Sequence, residues 1–129
     1  MKTNTSSAEG TRKRVQTDSI TEGVGINRLT KNFELALPHI EKAFTVSDRE
    51  VVEISRTLLY EEGLFLGSSS ALNCGGVLKV ADMLGPGHTI VTILPDSGVR
   101  YLSNLYNDEF LRSRGLLDAA NKGRNKYKR

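Results

Sequence analysis

The stretch from residue 62 to residue 98, EGLFLGSSSALNCGGVLKVADMLGPGHTIVTILPDSG, constrains the fold more than any other part of the sequence. A short apolar run stops at a glycine, three serines follow, and a helical segment continues to the Gly-Pro-Gly turn at 85–87. Glycine permits a left-handed helix cap, and proline blocks continuation of the helix. The segment TIVTIL at 89–94 is β-branched and mostly apolar, which is typical of a strand covered on both faces.

The order strand, helix, strand predicts an α/β fold in which this chain forms part of a mostly parallel sheet flanked by helices. Parallel strands that are joined by a helix have their C-terminal ends on the same edge of the sheet. Loops 67–70 and 95–98 would therefore lie side by side, at the edge where open α/β sheets bind ligands. Both loops are rich in serine, glycine and aspartate, so we expect polar contacts to a bound group there.

A capping box predicts a helix over residues 46–63. Ser47 and Glu50 have the Ser-x-x-Glu spacing, and Gly63 is a suitable C-terminal residue. One apolar face follows helical spacing, at Val51, Ile54, Leu58 and Leu59. The charged residues of this segment predict a solvated face without function: Arg49, Glu53, Arg56 and Glu61.

The second helix is predicted from about residue 70 to residue 84, with serines 68–70 suited to capping it. Gly75 and Gly76 lie inside this helix, which suggests the close approach of another backbone. Cys74 is interpreted as a small buried side chain rather than a nucleophile. Because it is the only cysteine, the sequence excludes an intramolecular disulfide and a multi-cysteine metal site, and we predict no bound metal.

Composition divides the chain into three parts. Residues 1–18 are polar and predict a disordered or loop segment, 19–118 form the α/β domain, and 119–129 predict a disordered basic tail. The last nine residues, NKGRNKYKR, carry five basic groups, and removing them from the net charge of +3 leaves −2. Basicity is therefore a property of the tail, and nucleic-acid binding is the least favoured function because no aromatic residues are interleaved with the charges in a known motif.

The single cysteine and the lack of a secretory signal core indicate an intracellular protein, either cytoplasmic or mitochondrial. No apolar run approaches the roughly 20 residues of a membrane span.

Three motifs in order resemble a known family: TEGVG at 21–25, VSDREVVEISRTLLYEEGLFLGSSS at 46–70, and TIVTILPDSGVRYLSNLY at 89–106. Together they are similar to the C-terminal part of the cysteine synthase family, which includes cystathionine β-synthase and consists of fold type II pyridoxal-phosphate enzymes. The resemblance covers about residues 19–116. It implies β-replacement, in which an O-activated serine loses its β-substituent and takes up sulfide to give cysteine.

The resemblance also implies roles for particular residues. Ser97 matches the serine that hydrogen-bonds the pyridine nitrogen of the cofactor, and a hydroxyl there leaves that nitrogen essentially unprotonated. Gly23, Val24 and Gly25 match the glycine-rich segment that borders the cofactor and substrate. Ser68 and Ser69 match a loop near the same cleft.

The residue patterns alone leave plainer interpretations open. Ser97 could cap the helix that is predicted over residues 98–105, a role compatible with a cofactor contact. Glycines 23 and 25 could form an ordinary turn, and serines 68 and 69 could cap a helix.

Other features depart from the family pattern. The contexts of Lys31, Lys42 and Lys79 do not resemble the family's Schiff-base lysine motif, and the phosphate-binding loop has no match. We therefore expect a C-terminal fragment that is inactive alone and makes no covalent cofactor link through a matching lysine. Its partners would be an amino-acid substrate and either the missing N-terminal half or a second copy. The alternative is a catalytically inactive interaction or regulatory module that retains the fold.

Overall fold

The structure is a computed structural model that describes residues 19–22, 24 and 29–125. Within these residues the chain is helical, with short extended connections. The elements are α1 (Lys31–Ala36), a 3₁₀ helix (Leu37–His39), α2 (Asp48–Glu62), α3 (Ser68–Leu84), a second 3₁₀ helix (Gly98–Tyr101), α4 (Asp108–Ser113) and α5 (Leu117–Asn125). The predicted disordered or loop segment at 1–18 lies outside the described residues.

Helix α2 has the termini that the sequence predicts. The Ser47 side chain accepts a hydrogen bond from the backbone N–H of Glu50, and the Glu50 carboxylate accepts one from the backbone N–H of Ser47, so the capping box is confirmed. At the other end Gly63 has φ of 68°, the left-handed conformation that glycine adopts without strain. Both ends of this helix are therefore determined by local sequence.

Helix α2 is also the centre of the core, because α3 and α5 both pack against it. Its buried side chains meet those of the C-terminal segments in one hydrophobic cluster. The buried apolar residues are Ile20, Val51, Val52, Ala71, Tyr101, Leu105, Leu111, Leu116, Ala119 and Ala120. This cluster fixes the N-terminal end of α3, where the two predicted ligand loops meet.

The interpretation of Arg56 as part of a solvated face is wrong, because only 3% of its surface is exposed. Its guanidinium lies over the ring of Tyr106 and donates hydrogen bonds to the Leu105 carbonyl and to Asp108, both at 3.3 Å. Arg124 of α5 also donates to Asp108, at 2.5 and 2.9 Å. A buried cation is tolerated here because an aromatic face and oxygen acceptors replace water.

Helix α3 begins at Ser68, two residues earlier than predicted, and its N-cap is Gly67 without a capping side chain. The prediction that serines 68–70 cap the helix is therefore wrong. The expected backbone approach at its glycines is also wrong. A Cβ on Gly75 would meet the side chain of Val46 at 2.7 Å, whereas a Cβ on Gly76 would meet nothing within 4 Å.

None of the helices in the described part of the chain has both the length and the apolar composition of a membrane span.

Residues 119–125 were predicted to belong to a disordered tail, but in the structure they form the greater part of helix α5. Ala119, Ala120 and Gly123 are buried against α2, so small side chains provide the packing face. The charges that suggested a solvated tail are paired: Lys122 contacts Glu53 at 2.8 Å, and Arg124 contacts Asp108. Residues 126–129 lie outside the described residues.

The parallel sheet stays a prediction, because the described residues contain no strand. One isolated bridge joins Leu66 to Ser97, and it is antiparallel, so the expected direction is wrong at this point. The bridge forms just after Pro95 and Asp96, where Ser97 lies beside Leu66. Upstream, Val91 is 85% and Ile93 69% exposed, although Asn73 donates to the Ile93 carbonyl at 2.8 Å. The segment 89–94 is neither helix nor strand, and no strand lies beside it among the described residues.

The α2–α5 contact predicts a stability difference between two glycine substitutions. A Cβ on Gly123 would lie 2.3 Å from the Glu53 carbonyl oxygen, whereas Gly76 faces open space. Alanine raises helix propensity at both positions by up to about 1 kcal/mol. Any difference in stability between the two variants therefore comes from the clash at Gly123. We expect Gly123→Ala to lower the free energy of unfolding by about 1–3 kcal/mol and Gly76→Ala to raise it or leave it unchanged. Urea unfolding measures both, and equal effects would contradict the packing described.

The Lys79–Glu50 contact predicts a loss of stability in acid. Lys79 lies 2.7 Å from the Glu50 carboxylate, and this bond, with those from Ser47, lowers the pKa of Glu50 from 4.5 to about 2. A depressed pKa stabilises the folded chain above about pH 4.5, and that stabilisation is lost as pH falls towards 2. Because Glu50 is partly solvated, we expect about 1 kcal/mol or less.

The measurement is urea unfolding at about pH 6 and about pH 3. Glu50→Gln is the matched control, since it keeps the size of the side chain and removes its titration. The variant should lose less stability than the original chain over this interval. Equal losses in the two proteins would show that Glu50 does not contribute.

Candidate functional site

The two predicted ligand loops are in contact, as the sequence analysis expected. The backbone N–H of Gly67 donates to the carbonyl of Asp96 at 3.1 Å, and the N–H of Gly98 donates to the carbonyl of Phe65 at 3.0 Å. These two bonds make the antiparallel bridge and bring loop 95–98 to the N-terminal end of α3. The meeting of the loops is confirmed, although it does not depend on the parallel strand ends from which it was predicted.

Asp96 provides most of the contacts between the loops. Its carboxylate accepts from the Tyr101 hydroxyl at 2.5 Å and from the Ser69 hydroxyl at 3.4 Å. The Asp96 backbone carbonyl accepts a hydrogen bond from the Ser70 hydroxyl at 3.2 Å, and the Asp96 N–H donates to the Ser70 hydroxyl oxygen at 3.4 Å. The carboxylate lies at the N-terminal end of a 17-residue helix, where the helix dipole favours negative charge. Asp96 is therefore more than the turn residue that the sequence suggested.

Ser97, the predicted contact of the pyridine nitrogen, follows Asp96 directly and has an exposed side chain. Its hydroxyl oxygen accepts a hydrogen bond from the Val99 backbone N–H at 3.4 Å and caps the 3₁₀ helix that follows. A serine hydroxyl has one proton to donate as well as lone pairs to accept with. Since the cap uses only the oxygen, the proton of Ser97 stays available for an external acceptor, and capping and donation are compatible.

Ser68 and Ser69, the predicted cleft residues, lie in the first turn of α3 but face different neighbours. Ser68 is fully buried, and its hydroxyl accepts from the Glu22 backbone N–H at 3.3 Å. Ser69 is half-buried and donates to Asp96. Ser68 therefore links α3 to the start of the glycine segment, and Ser69 links α3 to loop 95–98.

Glu22, the residue before the glycine segment, lies at the site, whereas Gly23 and Gly25 are outside the described residues. The residues before it are fixed by hydrogen bonds at both ends of a short run. The Ile20 N–H donates to Asp48 at 3.1 Å, and Asn104 donates to the Glu22 carboxylate at 3.1 Å. Val24 is half-exposed. The structure thus brings Glu22 to Ser68, and a role for residues 23–25 stays a prediction.

Tyr101 is a site residue that was not predicted from the sequence. Only 5% of its surface is exposed, and the hydrogen bond to Asp96 is the main reason that its pKa is raised above the ordinary value. A Cβ on Gly67 would lie 2.6 Å from the Tyr101 ring, so the two residues are in close contact. The available signal was the aromatic residue within the PDSGVRY run, but a tyrosine alone did not indicate its partner.

The remaining reactive side chains of the described residues are engaged away from these loops. The four lysines of this part of the chain contact other groups: Lys31 with Glu34, Lys42 with the Phe44 ring, Lys79 with Glu50, and Lys122 with Glu53. Burial raises the pKa of the Cys74 thiol, which disfavours the nucleophilic thiolate. Among the described residues, no group of three or more His, Cys, Asp or Glu side chains could hold a metal ion.

Comparison of the sequence with known proteins assigns the chain to a family. Residues 2–96 match the family described as pyridoxal-phosphate dependent enzyme. The chain is 54% identical over 109 residues to Cysteine synthase 2 of Schizosaccharomyces pombe, an alignment that covers 84% of this chain and 28% of the relative. It is 49% identical over 102 residues to Cysteine synthase 2 of Emericella nidulans, covering 79% and 24%. It is 52% identical over 93 residues to a cysteine synthase of Dictyostelium discoideum, covering 72% and 24%.

Proposed function

Because this chain belongs to the pyridoxal-phosphate dependent enzyme family, we propose that it supplies one wall of the cofactor site of a cysteine synthase-like enzyme. The family and the similar cysteine synthases imply pyridoxal phosphate as the cofactor. The chain spans 24–28% of the length of the three relatives described above. The complete activity is therefore proposed for a larger domain of which this chain is one part.

The proposal is carried by the Ser97 hydroxyl. It is exposed, it lies on a loop that is bound to α3, and its proton is not used by the cap. A neutral pyridine nitrogen is an acceptor, so a donating hydroxyl fits it, whereas a carboxylate would favour the protonated ring. When bound, pyridoxal phosphate acts as an electron sink for loss of a β-substituent and addition of sulfide. The part of Ser97 is to orient the ring and to keep its nitrogen unprotonated.

The residues around Ser97 would complete this wall. Ser69 and Asp96 fix the edge of the loop, and Ser68 holds the start of the glycine segment against α3. We propose that the segment of Gly23, Val24 and Gly25 borders the cofactor and an amino-acid substrate. Small residues would let the backbone approach a ligand closely. The substrate would be an O-activated serine, with sulfide as the second reactant.

We further propose that the fold is completed by other polypeptide, as part of a mostly parallel α/β sheet. The exposed apolar residues of the extended segment support this, because Val91 and Ile93 have no covering strand among the described residues. The other part of a family domain is the proposed partner, and a second copy is the alternative. An intracellular location is proposed on the single cysteine. A catalytically inactive interaction module would use the same exposed surface and remains the competing proposal.

The first test measures binding of 4-deoxypyridoxine 5′-phosphate, which keeps the pyridine nitrogen and phosphate of the cofactor but has no aldehyde to react with lysine. We expect Ser97→Ala to weaken binding by about two- to tenfold, the usual effect of losing one neutral hydrogen bond. Ser97→Asp keeps a capping oxygen and replaces the donor by a carboxylate, so the bound ring should become protonated. Titration by ultraviolet absorbance measures both the affinity and the protonation of the ring.

Ser103→Ala is the control, since Ser103 is an exposed serine of the following turn. It should bind the probe as the original chain does. Unchanged affinity and ring protonation in both Ser97 variants would overturn the cofactor role of this residue and favour the inactive module.

The second test concerns covalent attachment. The chain incubated alone with one equivalent of pyridoxal phosphate and then treated with borohydride should show no single preferred attachment site among Lys31, Lys42, Lys79 and Lys122, because each of them contacts groups other than the two loops. Adding a polypeptide that carries the unmatched part of the Schizosaccharomyces pombe relative should produce the adduct on that polypeptide. Intact-protein and peptide mass spectrometry measure both results. Stoichiometric attachment at one of the four lysines of the chain alone would contradict the prediction.

A further inference from the structure

The Asp96 side chain lies between two elements that are separated along the chain. On one side the Tyr101 hydroxyl donates to it at 2.5 Å, and on the other the Ser69 hydroxyl donates at 3.4 Å. Tyr101 is buried, and its ring packs beside Gly67. A buried donor to a charged acceptor makes a strong hydrogen bond, because little water competes for the donor. The contact therefore restrains the loop in addition to the hydrogen bond from Ser69.

Close packing leaves this arrangement little freedom to shift. An added Cβ on Gly67 would lie 2.1 Å from the Asp96 carboxylate and 2.6 Å from the Tyr101 ring. An added Cβ on Gly98 would lie 2.5 Å from the Phe65 ring. The residues on both sides of Ser97 are thus held by contacts, and its own side chain extends outward from them.

Ser97 itself has few restraints. Its hydroxyl accepts one hydrogen bond, at 3.4 Å, and its side chain is exposed. The direction of its hydroxyl therefore depends on the backbone of its neighbours, above all on Asp96, whose N–H and carbonyl both contact Ser70.

We propose that Tyr101 and Asp96 are positioning residues for Ser97: the Tyr101 hydroxyl holds the Asp96 carboxylate against the N-terminal end of α3, and the Asp96 backbone then sets where the Ser97 hydroxyl points. The structural part of this proposal stands on the contacts alone. Its consequence for the cofactor rests on the proposed function, in which Ser97 donates to the pyridine nitrogen.

The structural part is tested by amide hydrogen exchange, followed by NMR. The amides of Gly67 and Gly98 donate across the two loops, whereas those of Val51 and Val52 lie in the core helix. In Tyr101→Phe, which keeps the ring and removes the donor, we expect exchange at Gly67 and Gly98 to accelerate about tenfold more than at Val51 and Val52. Uniform acceleration in loops and core, or none at all, would overturn the proposal, because Tyr101 would then act only on global stability or not at all.

Tyr60→Phe is the matched control, since it makes the same chemical change on an exposed tyrosine of α2. It should cause no selective acceleration at Gly67 and Gly98. Asp96→Asn is the conservative variant, and it keeps an oxygen acceptor for Tyr101 while removing the charge. Its selective acceleration should be smaller than that of Asp96→Ala. If Asp96→Ala does not fold, Asp96→Asn against the original chain still decides, and an unchanged Gly67 amide in it would count against the charged contact.

The consequence for the cofactor is tested by a double-mutant cycle with 4-deoxypyridoxine 5′-phosphate. Tyr101→Phe should weaken binding of this probe about threefold or more when Ser97 is present and should change it little in the Ser97→Ala background. Equal losses in both backgrounds would overturn the positioning of Ser97 by Tyr101. If Ser97→Ala alone leaves the affinity unchanged, the proposed function fails, while the exchange experiment still decides whether Tyr101 holds the loop.

Discussion

The contact of Asp96 with the N-terminal end of α3 is the interaction on which the arrangement of the candidate site depends. Asp96 brings together loop 95–98, the first turn of α3 and the buried Tyr101. Its carboxylate occupies the positive end of the helix dipole, and its backbone groups pair with Ser70 and Gly67. Without these bonds the two loops would be joined mainly by the single bond from Gly98 to Phe65. Asp96 therefore acts as a structural centre, and the hydroxyl of the neighbouring Ser97 is exposed.

The packing of the helices holds the elements around Asp96 in place. Helix α2 is fixed at its start by the capping box and by the contact between Glu50 and Lys79 of α3. One turn further along, Gly123 of α5 packs against the Glu53 carbonyl. The N-terminal end of α3 is thereby held relative to the core. A polar site benefits from such support, because hydrogen-bonding groups keep their geometry only where the elements that carry them are packed.

Local features of the fold were predictable, and features that depend on distant residues were not. The capping box, the left-handed Gly63 and the end of α3 at Gly85 follow from a few adjacent residues, and the structure confirms them. The burial of Arg56 depends on Tyr106 and Asp108, about fifty residues away, so a periodic pattern could not reveal it. Helix α5 was missed for the same reason, since its alanine and glycine face has meaning only against α2.

The site was predicted in the same uneven way. That loops 67–70 and 95–98 meet was inferred from an assumed pair of parallel strands, yet the contact is made by side chains and by an antiparallel bridge. The serine next to Asp96 was identified through a family motif, but the tyrosine that fixes Asp96 was not. In TIVTIL the pattern of a strand covered on both faces is present, while Val91 and Ile93 lie exposed. An apolar segment of this kind is stable only when neighbouring strands satisfy its backbone and cover its side chains. The composition of TIVTIL is thus typical of a strand, whereas the described residues contain no strand that could pair with it. This mismatch is the physical basis of the proposal that further polypeptide completes the fold.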